Sequence, residues 1–371
     1  MNNTIKLSLR FSIISVLLFV VSLSFSQTEL SSSASDYIHT AERIRSCYEE
    51  QAFLLSPAKA GHMGLRLYRN SSDPKYRYLL LQGINYTCNS LDKLIKQGLD
   101  PSSINRYAQK INKDYKASTE KKRLRKRSLD HYPLYRIYAC KFLRHVARLD
   151  ELGLRHESHD EIIALLESYD FKTVFTDSMM IRAWGAQLAN QVYWLNQLGL
   201  GDYRKEFCEA VSETYPAELD DNISNQQFGN KIYTLTHIII AASEYYRYPV
   251  DYKRYNQITD YFRNNIDSIL KRCKEDIIIE VGLSLLLVND AYPEIDRIRS
   301  FIQDRVNKKS NIIHSVNGSD DIPLGEHRNI IAILLLDWRG CNYSPGAKEI
   351  AKLSSKLPAN LEIIKHSDVK S

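Results

Sequence analysis

The sequence predicts an all-α fold in the form of an (α/α)6 toroid, a double ring of helices. Three observations point there: apolar residues recur at helical spacing from Asp36 onward, strand-like alternation is nearly absent, and strongly apolar helices alternate with amphipathic ones. The composition agrees, with 44% hydrophobic and 25% charged residues in a chain of 371 but only 14 glycines and 10 prolines. It excludes a disordered, collagenous or polytopic membrane chain. An open α-solenoid of helix pairs is the alternative, since it shows the same alternation.

The chain opens with Lys6 and Arg10, an almost wholly apolar run over 11–21, and Ser24 and Ser26 at the −3 and −1 positions of a cleavage site. This is the three-part pattern of a secretory signal peptide over 1–26, and its apolar run is too short to span a bilayer. No later segment is long and apolar enough to span either. Ser-rich residues 27–35 read as a tether, 36–357 as a single helical domain and 358–371 as a C-terminal tail. The expected location is periplasmic or extracellular.

Residues 36–57 read as an additional helix packed against the closure of the ring. The strongly apolar helices begin near 75, 133, 177, 228, 277 and 326, and amphipathic helices fall near 101–117, 158–168, 202–214, 251–272, 292–308 and 345–356. Asp73-Pro74 and Asp100-Pro101 place an N-cap residue before proline at the first helical position, and Asp177 caps the next apolar run. Gly98, Gly153, Gly199 and Pro216 read as stops. A helix apolar on all sides is buried, whereas an amphipathic one covers a core with one face, so the first set forms the inner ring.

The formal charge is +6, or +4 once Lys6 and Arg10 leave with the signal peptide, and the run KKRLRKR at 121–127 supplies six positive charges by itself. The remainder is slightly acidic, so nucleic acid is not an expected partner. The basic run reads as an exposed connection or helix end with a solvated face. Six cysteines (Cys47, Cys88, Cys140, Cys208, Cys273 and Cys341) are widely spaced with no CxxC pair, so neither a metal nor a cofactor is expected. Export permits disulfides, while a chain of this size can equally bury its cysteines as small hydrophobes.

Polar residues sharing one face of an apolar helix must find partners or line a cavity. Asn230, Tyr233, Thr234 and His237 form such a stripe, Asp276, Glu280 and Ser284 another, and Glu326, His327, Arg328 and Asn329 crowd the start of the last apolar helix. Gln82, Asn85, Tyr86 and Asn89 make an earlier stripe, as do Trp184, Gln187, Gln191 and Trp194. The expected catalytic set is His237, Glu280, Arg328 and Tyr233, with Asn230, Trp184, Gln187, Asn85, Glu326 and His327 as substrate contacts. Tyr233 and His237 would act as acid and base, and Arg328 would neutralise a substrate carboxylate. Alternatively Glu280 with Glu326 or Asp276 forms the carboxylate pair of a glycosidase, or Glu280 is a structural ion-pair partner of Arg328 or His237. No GxSxG, HExxH, P-loop or GxGxxG motif is present.

The stretches KIYTLTHIIIAAS, IIIEVGLSLLL and EHRNIIAILLLDW resemble an exported bacterial family catalogued only as a domain of unknown function, over roughly 130–360. The resemblance implies bacterial origin and a helical domain, and it carries no assigned catalytic residues. The architecture looks like toroids found among polysaccharide lyases and glycosidases. The expected function is a carbohydrate-active lyase or hydrolase acting on an acidic glycan in a central cavity. The alternative is a noncatalytic periplasmic or surface protein that binds a peptide or protein.

Overall fold

A computed structural model describes residues 32–364, and the expected signal peptide lies outside them. The fold is all-α. In chain order the helices are α1 (Ser32–Glu50), α2 (Pro57–Ser71), α3 (Arg77–Ile95), α4 (Pro101–Lys113) and α5 (Glu120–His131). The next rod runs from α6 (Tyr135–Ile137) through a π-helical stretch (Tyr138–Leu143) into α7 (Arg144–Asp150). Then come α8 (His159–Glu167), α9 (Phe171–Thr176), α10 (Ser178–Gln197), α11 (Arg204–Thr214), α12 (Asn225–Ala242), α13 (Tyr252–Asn264) and α14 (Ile266–Arg272). The last are α15 (Glu275–Val288), α16 (Pro293–Gln303), α17 (Ile322–Leu336) and α18 (Ala347–Ala351). None of the described helices is long and apolar enough to cross a membrane.

Local chemistry sets most boundaries. Asp100 accepts from the backbone N–H groups of Ser102 and Ser103 ahead of α4, Asp177 caps Met180 in α10, Ser224 caps Gln227 in α12 and Asp321 caps Leu324 in α17. Asp73 caps a single 3-10 turn, which then runs into α3. Gly98, Gly153 and Gly199 end their helices with positive φ, where the lack of a Cβ removes the steric penalty.

The long buried helices pack side by side, α10 on α12, α12 on α15, α15 on α17 and α17 on α2, so the first and last buried helices meet. On the other side α2 packs along α3, α3 touches α7, and α7 with the π-helical stretch touches α10. Helices α11, α14 and α16 cover this layer from outside, each burying one apolar stripe, such as Ile295, Ile298 and Ile302 of α16. The buried apolar side chains form one continuous core.

Three sequence expectations need correction. The first buried helix is α2, not the one beginning near 75: α2 buries Ala60 to Asn70 on nearly every side, whereas α3 keeps Tyr78 and Tyr86 exposed. Gly61 and Gly64 dilute the apolarity of α2, yet they are what lets it lie against α3. A Cβ on Gly61 would sit 2.3 Å from Gly83 Cα. Gly61→Ala should therefore destabilise the fold by about 1–3 kcal/mol in a denaturant titration, since backbone rather than a flexible side chain must move. Second, α1 begins at Ser32, within the expected tether. Third, residues 361–363 are not tail but strand β2 (Leu361–Ile363), paired antiparallel with β1 (Leu154–His156).

All six cysteines are free. Burial raises each thiol above its ordinary value, to about 11 for Cys88, Cys208 and Cys341, so the thiolate population at neutral pH is small.

Candidate functional site

Glu280 is 2% exposed in the middle of α15, and its compensation comes from two neighbouring helices. His237 of α12 stands 3.5 Å away through Nε2, and His327 of α17 stands 3.3 Å away through Nε2. Thr236 donates its hydroxyl to Oε2 at 2.9 Å. Burial would raise the Glu280 pKa, but the two imidazoles outweigh it and hold the carboxyl below its ordinary range. Glu280 is thus an anion at neutral pH.

The histidines of this cluster are not all shifted the same way. Burial lowers His237, against the opposing pull of Glu280, and its Nδ1 lies 3.1 Å from Asn190 Oδ1. Burial also acts on His327, but Glu280, with Asp276 and Glu326 behind it, wins and raises the pKa. His62 of α2 donates from Nδ1 to Glu326 Oε1 at 2.6 Å, and its ring centroid is 5.3 Å from that of His327. Burial lowers His62 too, helped by the charges of Arg66 and His327. Water reaches these rings: their side chains retain 26% (His62), 12% (His237) and 41% (His327) exposure. The Nε2 atoms of His237 and His327 are themselves buried and both face the Glu280 carboxylate, so the exposed part of each ring is its other edge.

Tyr233 meets His237 edge-on at 4.6 Å between centroids. Burial, with Glu280 and Asp276, pushes its phenol far above the ordinary value, so it keeps its proton. Above its ring lies Lys121 Nζ at 5.4 Å, pushed down to about 8 by burial and by Arg125. Of the reading of 121–127 as an exposed connection or helix end with a solvated face, the helix and the exposed Lys122, Arg123 and Arg127 agree, while Lys121 and Arg125 turn inward. The run winds around α5, and Lys121, Arg125 and Ser128, spaced at i, i+4 and i+7, face the buried helices. Arg125 lies 4.0 Å over the Trp184 ring, donates to the Ala183 carbonyl at 3.0 Å and to Gln187 Oε1 at 2.9 Å, while Trp184 Nε1 donates to Ser128 at 2.9 Å.

The structure therefore brings together His237, Glu280, Tyr233, Glu326 and His327, and adds His62. Arg328 is not part of this group: its Nη1 reaches the Ile313 carbonyl at 3.3 Å. One residue along a helix turns the side chain by about 100°, so His327 takes the place beside Glu280. Asn230 is a staple, donating to the Arg182 carbonyl at 3.0 Å and accepting from Gln226 at 3.1 Å. Trp184 and Gln187 are engaged by α5, and Asn85 sits half-buried on α3 with none of the cluster's contacts. His62 was missed because α2 was missed, although His62, Arg66 and Arg69 recur at i, i+4 and i+7.

A second polar centre lies at the turn after α12. Glu244, Tyr245 and Tyr246 all have positive φ (51°, 58° and 73°), which costs about 1 kcal/mol or more per non-glycine residue. Arg69 holds this turn by donating to the Tyr245 carbonyl at 3.0 Å, and Asn342 N–H donates to the Tyr246 carbonyl at 3.0 Å. Glu151 bridges Arg69 and Arg148, each at 2.7 Å.

Among the described residues, Cys88, Asp92 and His156 offer metal-ligand atoms within 4.8 Å of one another. Their hydrogen bonds make a clasp instead. Ser158 N–H donates to His156 Nδ1 at 3.1 Å, so the ring proton sits on Nε2, facing Asp92 Oδ1 at 3.0 Å. A ligating histidine needs that nitrogen bare and the other one donating. Asn360 completes the clasp by donating to Asp92 at 2.8 Å, which ties the C-terminal strand to α3. Open surface depressions of 380 Å³ beside Glu42 and Asn311 and of 420 Å³ beside Tyr115 and Arg136 lie away from the histidine cluster.

No curated protein and no solved structure matches the chain. One family profile does, over residues 37–364, which takes in every helix of the cluster and both strands of the clasp. The chain belongs to that family, described as a domain of unknown function, DUF3541.

Proposed function

We propose that the protein is an exported enzyme, folded as a closed (α/α)6 toroid, that cleaves an acidic glycan by β-elimination in its central cavity. Export rests on the leader pattern of residues 1–26, and the meeting of α17 with α2 supports the closed ring over the open solenoid. The observation that carries the chemistry is the edge-on pairing of His237, whose pKa burial lowers, with a protonated Tyr233 beside it. Two adjacent groups whose surroundings push their pKa values apart are suited to act as base and acid. The His237 imidazole takes the C5 proton of a uronate, the electron pair becomes the C4–C5 double bond, and the C4–O bond breaks. Tyr233 then protonates the leaving oxygen. A glycosidase fits less well, because it needs one carboxyl held protonated, and Glu280 is instead held ionised by its imidazoles.

The test is incubation of the full chain with a panel of uronate-containing polysaccharides, following both the ultraviolet absorbance of the new double bond and the release of reducing ends. Elimination gives both signals, and His237→Ala and Tyr233→Phe should each lower the rate by about 10²–10⁴-fold. The rate should rise with pH around a midpoint below the ordinary histidine value of about 6.5, since the base must be neutral. Reducing ends without the double bond would make the enzyme a hydrolase. Binding of polysaccharide with neither signal would favour the noncatalytic reading.

A further inference from the structure

We propose that Arg66, whose guanidinium lies over the rings of Tyr245 and Tyr246, is an anion-binding subsite that takes the carboxylate of an acidic sugar. The proposal rests on the reading of the cavity as a glycan site and names the residue that recognises the acid. Arg66 is 5% exposed, and its Nε and Nη1 have no partner. Among the described residues it makes no hydrogen bond or ion pair; its contacts are the Tyr245 and Tyr246 rings, at 5.3 and 5.1 Å from the guanidinium carbon. A buried guanidinium without an acceptor is costly, and guanidinium geometry suits bidentate capture of a carboxylate.

The surroundings leave this charge uncompensated. The carboxylate near it, Glu151, is already shared by Arg69 and Arg148. Arg148 also lies 4.4 Å over the Tyr245 ring, so the region carries three guanidiniums against one carboxylate. The Tyr245 hydroxyl is likewise buried without a partner, a second donor for the same anion. The strained turn that places both rings is retained at an energetic cost, as is common where a ligand is clamped. Arg66 is one helical turn from His62, and its charge lowers both His62 and His237. An acid held at Arg66 would therefore bring its sugar next to the proposed base. This gives the cavity the neutralising cation that Arg328 does not provide.

The experiment is thermal-shift and calorimetric titration of the full chain with sodium glucuronate, inorganic sulfate and glucose at constant ionic strength. Glucuronate should stabilise the wild type and glucose should not. Arg66→Gln should weaken glucuronate at least about tenfold, the loss expected for one charged hydrogen-bonding group. If that variant does not fold, Arg66→Lys and Tyr245→Phe serve instead, each expected to weaken glucuronate several-fold. Sulfate binding with no response to glucuronate, no response to either anion, or unchanged glucuronate affinity in the variants would each overturn the subsite. Glucuronate binding through Arg66 with no polysaccharide turnover would leave the subsite standing and overturn the elimination reading. Turnover that is indifferent to Arg66→Gln would do the reverse.

Discussion

Glu151→Gln should cost about 3–5 kcal/mol of stability, because it removes the one anion between Arg69 and Arg148 and leaves both guanidiniums in place. Arg69 is 2% exposed and cannot turn to water, and it also carries the carbonyl of the strained turn at Tyr245. At roughly 1–2 °C per kcal/mol for a domain of this size, the melting temperature should fall by about 3–10 °C. The pH dependence follows from the same pair. Burial would raise the Glu151 pKa, but the two arginines bring it down to about 2. A carboxylate depressed in the folded state contributes fully above its unfolded value near 4.5 and loses that contribution as pH falls through about 2. Thermal melts of the wild type should therefore show a loss across that window that Glu151→Gln lacks. Equal melting temperatures for the two proteins would overturn the ion-pair account.

Much of this fold was legible because helix periodicity is a local signal. The IIIEVGLSLLL run predicts a buried helix, and α15 buries Ile278 through Leu287. What periodicity cannot see is burial that comes from close backbone approach, as in α2, where glycines replace bulk with proximity. The site divides the same way. A carboxylate inside an apolar helix announces Glu280, and a polar stripe announces His237 and Tyr233, since both follow from which face is buried. The choice between His327 and Arg328 as the neighbour of Glu280 depends on helix rotation, which composition does not fix. Arg66, Tyr245 and Tyr246 come together across a long chain separation through a turn with unusual φ values. Such values are invisible without glycine or asparagine to flag them.

Glu280→Gln should separate a working site from a structural ion pair, because the two roles predict different readouts. Without the carboxylate His327 loses the main partner that raises it, so its pKa should drop, with Asp276 and Glu326 left to oppose burial. His237 loses an opposing pull as well and should fall further. Histidine ring signals followed by NMR against pH read both shifts. The effect on stability has a definite sign. A histidine raised in the fold stabilises it fully below the unfolded value, and that contribution is lost as pH rises through the folded value. His62 and His237, being lowered, act the opposite way and disfavour the fold as pH drops below about 6.5. Glutamine keeps the shape and can still accept from Thr236, so the fold should survive while glycan turnover falls by about 10² or more. A variant that melts several degrees lower yet retains wild-type turnover would make Glu280 structural. The acid–base pair of His237 and Tyr233 would then have to work without a charged neighbour to hold it.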